Sequence, residues 1–291
     1  MSAVAGYGID VSHHQGKIDW KRVATKGITS AGNLPVNFAI LKCIYESKSH
    51  GTDSQFEANY KGCLDNAINV GVYVYHGSES LRDPAVEAKA LLKVLNGRKL
   101  HLGIWHDLED KALQSAGNPA INALLKIQDD IFKAAGYSDI GIYCNKYWYD
   151  KILDTKYLKT IYKYWWIARY LKNDVGQIPG DSMSPKSFAN AWQFSSKGRV
   201  DGISGNVDLD IDYTGLTAAM SGDVPKESAG PIASGLGIKT IKVTNKLNVR
   251  KSPELGDNII GQLPNGIRVN VTEIKGSWAH IEGWVSTNYL K

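Results

Sequence analysis

The chain has 291 residues, 43% hydrophobic and 22% charged, with a formal net charge of +5. This is the composition of ordinary globular domains, and the length suffices for two of them. No stretch approaches the about 18 apolar residues of a membrane span, so no membrane insertion is expected. The positive charge is dilute and no nucleic-acid-reading motif accompanies it, which argues against a nucleic-acid partner.

The N-terminal residues lack the basic and apolar regions of a Sec signal peptide and run straight into a first strand-like segment. One rhythm then repeats. Short β-branched or aromatic runs lie at 7–12, 37–45, 71–76, 100–108, 140–144, 164–170, 189–194 and 207–213. Between the first six, helix-like stretches fall at about 19–27, 53–69, 84–96, 118–135 and 145–159. Asp83-Pro84 and Asn118-Pro119 read as an N-cap followed by a first helical position. Eight strands with five helices predict an irregular β/α barrel. An open doubly wound sheet is disfavoured, because no glycine-rich phosphate loop follows the first strand. Cys43, Cys63 and Cys144 have no CxxC spacing and read as buried thiols of a protein made in a reducing compartment. The seven histidines show no zinc-ligand spacing, so neither a catalytic metal nor a cofactor is expected.

The fourth run ends in Trp105-His106-Asp107-Leu108-Glu109. Along a strand, positions i and i+2 share a face. Asp107 and Glu109 therefore form a carboxylate pair at the end where barrel enzymes place their chemistry. Hydrolysis of a glycosidic bond needs such a pair, one acid kept protonated and one ionised. Other strand ends also carry acids, Asp10 and Asp208 among them.

The domain is expected to span 1–220. A stretch rich in Gly, Ser and Pro reads as a linker over 221–236, and residues 237–291 alternate apolar and polar side chains like a small all-β barrel. From Leu236 onward there are eight basic residues and four acidic ones, so most of the positive excess sits in this last part.

Two resemblances join these observations. Residues 7–216 resemble the glycoside hydrolase family 25 muramidases, the Chalaropsis-type lysozymes found among phage endolysins and bacterial autolysins. The matching stretches are Gly8-Ile9-Asp10-Val11-Ser12-His13, Gln15-Gly16-Lys17-Ile18-Asp19-Trp20, Gly71-Val72-Tyr73-Val74-Tyr75-His76 and Asp107-Leu108-Glu109. Further on come Trp166-Ile167-Ala168-Arg169-Tyr170, Trp192-Gln193-Phe194-Ser195-Ser196 and Gly205-Asn206-Val207-Asp208. Residues 238–291 resemble a bacterial SH3-type wall-binding domain through Leu247-Asn248-Val249-Arg250, Gly261-Gln262-Leu263 and Gly283-Trp284-Val285-Ser286.

The resemblance implies that Glu109 donates a proton and that Asp107 acts beside it, either as nucleophile or by orienting a substrate N-acetyl group. It places Asp10 and Asp208 in the same acid set. Tyr75, Tyr143, Trp166, Tyr170 and Gln193 are the implied sugar-binding residues. Trp278 and Tyr289 are the candidate wall contacts of the small domain. The implied substrate and partner is bacterial peptidoglycan, cut between N-acetylmuramic acid and N-acetylglucosamine in a Gram-positive wall. The missing signal sequence suggests a phage endolysin that waits in the host cytoplasm until lysis and then acts on the wall. A chromosomal autolysin, a catalytically silent wall-binding protein and a chitinase or N-acetylglucosaminidase on a similar barrel are the rival readings. Some positions depart from the family pattern. His14 stands where an aromatic is common, and Glu46 is offset by one from a recurrent glutamate.

Overall fold

The computed structural model describes residues 4–220 and, further on, 237–244, 246–264, 268–271, 273–275, 278–281 and 284–286. The chain divides into two units, Met1–Lys226 and Glu227–Lys291.

In the first unit eight strands close a barrel in chain order: β1 (Gly6–Val11), β2 (Phe38–Lys42), β3 (Asn69–Tyr75), β4 (Ile104–Asp107), β5 (Ile140–Asn145), β6 (Tyr164–Ala168), β7 (Ala191–Gly198) and β8 (Val207–Asp212). β1 to β7 are parallel to their neighbours, while β8 runs antiparallel to both β7 and β1. The expected β/α barrel is thus what the chain forms.

Strand alternation sorts the side chains into two cores. Ile9, Leu41, Val72, Ile104, Ile142, Ile167, Phe194 and Leu209 face outward into the layer shared with the helices. Phe38, Ile40, Trp105, Tyr143, Tyr164 and Trp166 fill the barrel interior. Such large rings fit because glycines stand opposite them. A Cβ on Gly8 would lie 2.2 Å from the Phe38 ring, and one on Gly141 would lie 2.4 Å from Trp105. Leu216 and Met220 close the floor.

The helices are α1 (Trp20–Lys26), α2 (Phe56–Asp65), α3 (Ser78–Arg82), α4 (Pro84–Leu95), α5 (Lys111–Ala134), α6 (Thr155–Leu158) and α7 (Leu216–Ala219). Asp83 caps α4 by accepting from Val86 N at 3.1 Å, with Pro84 at the first helical position as expected. Two stretches differ from the sequence reading. α5 starts earlier and is broken at Gly117 (φ 78°), so a short segment precedes the one that begins near Asn118. The expected helix over 145–159 is instead a π turn, Trp148–Ile152, an extended Leu153 and then α6. The cause is local. Asp154 accepts from Tyr157 N at 3.0 Å and restarts the helix, while the Asn118 side chain ties down Ile152 O and Asp154 N, both at 2.9 Å.

The second unit is all-β among its described residues. β9 (Gly237–Thr240) pairs with β12 (Arg268–Val271). β10 (Lys246–Arg250), β11 (Ile259–Pro264), β13 (Glu273–Lys275), β14 (Trp278–His280) and β15 (Trp284–Ser286) form a sheet in the order β11-β10-β15-β14-β13. Ile241, Leu247, Val249, Val271 and Ala279 make its small core. The expected linker at 221–236 and the candidate contact Tyr289 lie outside the described residues.

Candidate active site

The C-terminal ends of β1 to β7 open on one mouth, and acids from both ends of the domain meet there. Asp10 on β1 stands in register with Asp208 on β8, and Gly8 with Asp210 one step deeper. Asp107 ends β4, between Tyr75 on β3 and Tyr143 on β5. Glu109 follows just past the strand.

The environments of these acids differ. Asp10 and Asp107 are buried and Asp210 is fully so, whereas Glu109 reaches solvent. Asp208 and Asp210 lie against Asp10, whose carboxyl favours the ionised form of each, and Asp210 Oδ2 is buried with no hydrogen-bond partner. Burial, then Asp208 and Asp210, drive the Asp10 pKa well above the usual carboxylate range, against the Gln193 amide that donates to it at 2.6 Å. Asp210 is raised by burial and by Asp208, although the Trp166 indole donates to it at 2.8 Å. Burial and Glu109 push Asp208 up to about 6. Burial, Glu109 and Asp208 raise Asp107, and the Lys42 ammonium opposes them. One Asp107 oxygen, Oδ1, is buried with no hydrogen-bond partner. Glu109 is raised as well, because the walls of the mouth withhold part of its hydration and the Asp110 carboxylate lies beside it.

This arrangement can hold one acid protonated near neutrality next to a second carboxyl with an unused acceptor. Those are the two groups that cleavage of an acetal bond requires. Among the described residues, no cluster of His, Cys, Asp and Glu is built to hold a metal ion.

The model of the glycosyl hydrolases family 25 matches residues 9–203, more than half of the chain. The chain belongs to family 25 of the glycosyl hydrolases. This family 25 protein is therefore a glycoside hydrolase of the lysozyme family. The bacterial SH3 domain model matches residues 245–291. Uncharacterized protein YegX of Escherichia coli O157:H7 is 28% identical over 207 residues, covering 70% of this chain and 68% of its own. Lysozyme M1 of Streptomyces globisporus is 27% identical over 217 residues, covering 69% and 65%. The catalytic domain of endolysin ply40, from bacteriophage P40 of Listeria monocytogenes, superposes with a TM-score of 0.58 at 19% identity, over 77% of this chain and all of that one.

Within the family 25 barrel, two of the expected sugar-binding residues have a different setting. Trp166 is only 2% exposed, packed under Tyr143 at 4.4 Å and edge-on to Trp105 at 5.8 Å, so it offers no free face to a sugar. It serves Asp210 instead. Gln193 is also buried. Its Oε1 accepts from Tyr143 at 2.7 Å and from Tyr170, and its Nε2 donates to Asp10, so both polar ends are committed within the protein. Tyr143 lies just below the surface of the mouth. Tyr170, at 36% exposed, and the half-buried Tyr75, whose hydroxyl donates to Asp110 at 2.8 Å, are at the rim. Glu46 accepts from Glu79 N at 2.7 Å and so supports the start of α3. Trp278, on β14, is half-buried.

Two site residues escape the sequence reading. Asp210 is the deepest acid, and strict alternation through Asp208-Leu209-Asp210-Ile211-Asp212 would have turned all three aspartates inward. Lys42 closes β2 in the inward phase set by Ile40, its Nζ 5.9 Å from the Tyr73 ring and 5.6 Å from the Tyr75 ring. Its charge opposes the upward shift of Asp107.

Proposed function

We propose that the protein is a muramidase that cleaves the β-1,4 bond between N-acetylmuramic acid and N-acetylglucosamine in Gram-positive peptidoglycan, and that it acts as an endolysin. The observation that supports this most is the meeting of Glu109, Asp107, Asp10 and Asp208 at one mouth of a family 25 barrel. Glu109, the solvent-facing acid of raised pKa, gives its proton to the glycosidic oxygen as the C1–O bond breaks. Asp107 presents its unpartnered Oδ1 to the opposite charge that develops, either at C1 itself or at the N–H of an N-acetyl group whose oxygen attacks C1. Water then completes hydrolysis and returns a proton to Glu109. Partial loss of hydration and the Asp110 carboxylate favour a protonated Glu109, while Asp10, Asp208 and Asp210 surround the pair with polar groups whose own ionisation is resisted by burial and mutual repulsion. Tyr75 and Tyr170 line the sugar path. The C-terminal unit holds the enzyme on the wall, with Trp278 and Tyr289 as candidate contacts.

Mass spectrometry of digested, purified walls tests the reaction. New reducing ends should be muramic acid; reducing N-acetylglucosamine would make the protein a glucosaminidase instead. Glu109→Gln should lose at least the about 10²–10⁴-fold of general acid catalysis while wall binding persists. Inhibition by a thiazoline analogue of the substrate would select the assisted route for Asp107, and a trapped covalent sugar the direct one. Expression inside a susceptible host should cause lysis only once its membrane is permeabilised, and lysis without that step would favour an exported autolysin.

A further inference from the structure

A second polar cluster is sealed behind the acid-bearing strand, between the barrel wall and helices α4 and α5. His76, His106, Ser80, Glu87 and Gln128 are each 0% exposed and Asp129 is 3% exposed. Four of these groups form a line. Glu87 Oε2 lies 3.0 Å from His76 Nδ1, His76 Nε2 lies 2.8 Å from His106 Nδ1, and His106 Nε2 lies 3.0 Å from Asp129 Oδ1.

Three hydrogen bonds in a row need three protons. Two neutral imidazoles bring two, so the line holds one more. The carboxylates have no need of it, since each is already served by other donors. Glu87 accepts from Ser80 at 2.9 Å and from Gln128 at 2.7 Å, and Asp129 accepts from Lys133 at 3.1 Å. Burial alone would raise the pKa of both acids, but these partners and the histidines outweigh it and the net shift is downward for each. The third proton therefore belongs to the imidazoles. Burial lowers the His106 pKa and the Asp129 carboxylate opposes it, so the proton is held by the imidazole pair as a unit. Two carboxylates, one imidazolium and the Lys133 ammonium then balance. His50, the other ionisable group facing this cluster, lies 3.7 Å from Glu87 without a hydrogen bond at Nδ1.

The line is joined to the acids at the mouth. His106 precedes Asp107 on β4, and His76 N donates to the Asp107 carbonyl at 3.1 Å. We propose that His76 and His106 are positioning residues: they share one buried proton between Glu87 and Asp129, and this clamp fixes the end of β4 that carries Asp107 and Glu109. The positioning half of the proposal rests on the reading of those two residues given above. Loss of the shared proton to hydroxide would leave two imidazole lone pairs facing each other at 2.8 Å. The ends of β3 and β4 would part, and turnover would fall at alkaline pH before substrate binding did.

Histidine-selective ¹⁵N NMR of the full chain tests the held proton without any variant. One buried imidazole should be protonated on both nitrogens at pH 7 and titrate above the ordinary histidine value of about 6.5. Neutral imidazoles throughout the buried set at pH 7 would overturn the proposal. Glu87→Gln keeps the volume and removes the charge that holds the proton. Its alkaline limb of kcat on soluble wall fragments should move toward acid by about one pH unit or more, with KM within about twofold of wild type. A limb that stays in place while kcat drops uniformly would make the cluster merely structural. If Glu87→Gln fails to fold, Asp129→Asn gives the same readout from the other end. An active Glu109→Gln enzyme would refute the site reading alone, since the imidazole titration does not depend on it.

Discussion

Replacing Asp208 by asparagine should make the protein more stable at neutral pH while it impairs activity. The fold raises this group from the ordinary 3.8 to about 6, through burial and the Glu109 charge. Each pKa unit is about 1.4 kcal/mol, so the ionised side chain carries a folding penalty on the order of 3 kcal/mol. Asp208 is only partly buried, and solvent screening trims this to about 1–3 kcal/mol. The folded-state pKa lies above the unfolded one, so the native state binds more protons between about pH 4 and 6, and stability falls as pH rises through that window. Asparagine cannot ionise and has nearly the same volume, so it removes the charge without opening a cavity. The stability difference between variant and wild type should therefore be near zero at about pH 4 and reach its plateau above about pH 7. Urea unfolding followed at both pH values measures it directly, and thermal melting should show a rise of about 2–4 °C per kcal/mol for a domain this size. Equal stability at pH 7, or a difference that does not change with pH, would refute the account of a strained acid set.

Other perturbations follow from the same geometry. Trp166→Phe keeps an aromatic but removes the indole donor from buried Asp210, and should cost about 1–3 kcal/mol in denaturant unfolding; an unchanged midpoint would contradict the role given to that donor. Gly141→Ala drives a methyl into Trp105, which is locked by its 2.7 Å bond to Leu102 O, and should destabilise by about 1–3 kcal/mol; an unchanged unfolding midpoint would contradict the packing described. A fragment of residues 1–220 should retain turnover on soluble wall fragments and lose potency on intact cells, because tethering acts through effective concentration at an insoluble substrate; equal potency on cells would remove any targeting role from the C-terminal unit.

The barrel was legible because its strands are continuous apolar runs bounded by turn residues, and one motif, Asp107-Leu108-Glu109, marked the mouth. What a motif cannot convey is depth. Trp166 stands near a strand end in sequence, yet its inward phase sinks it below Tyr143. Asp210 lies two residues past the aspartate of a recognisable motif and outside it, so only strand alternation points to its inward phase. The break after Ile152 depends on Asn118, 34 residues earlier, whose side chain is spent on a distant carbonyl rather than on its own helix. The histidine line is the extreme case, since Glu87, His76, His106 and Asp129 come from four separate segments and no spacing rule joins them.

The antiparallel last strand sets a schedule for the nascent chain. β8 supplies Asp208 and Asp210 and bonds to β1, where Gly6 stands opposite Asp212 and Ala5 N donates to Asp212 O at 2.9 Å. A polypeptide still lacking residues 207–212 has two open sheet edges and an incomplete acid set. Contacts between such remote segments form late and slow folding. Barrel closure and completion of the acid set are therefore a single event, and a truncated translation product carries the DxE motif without the neighbours that tune it.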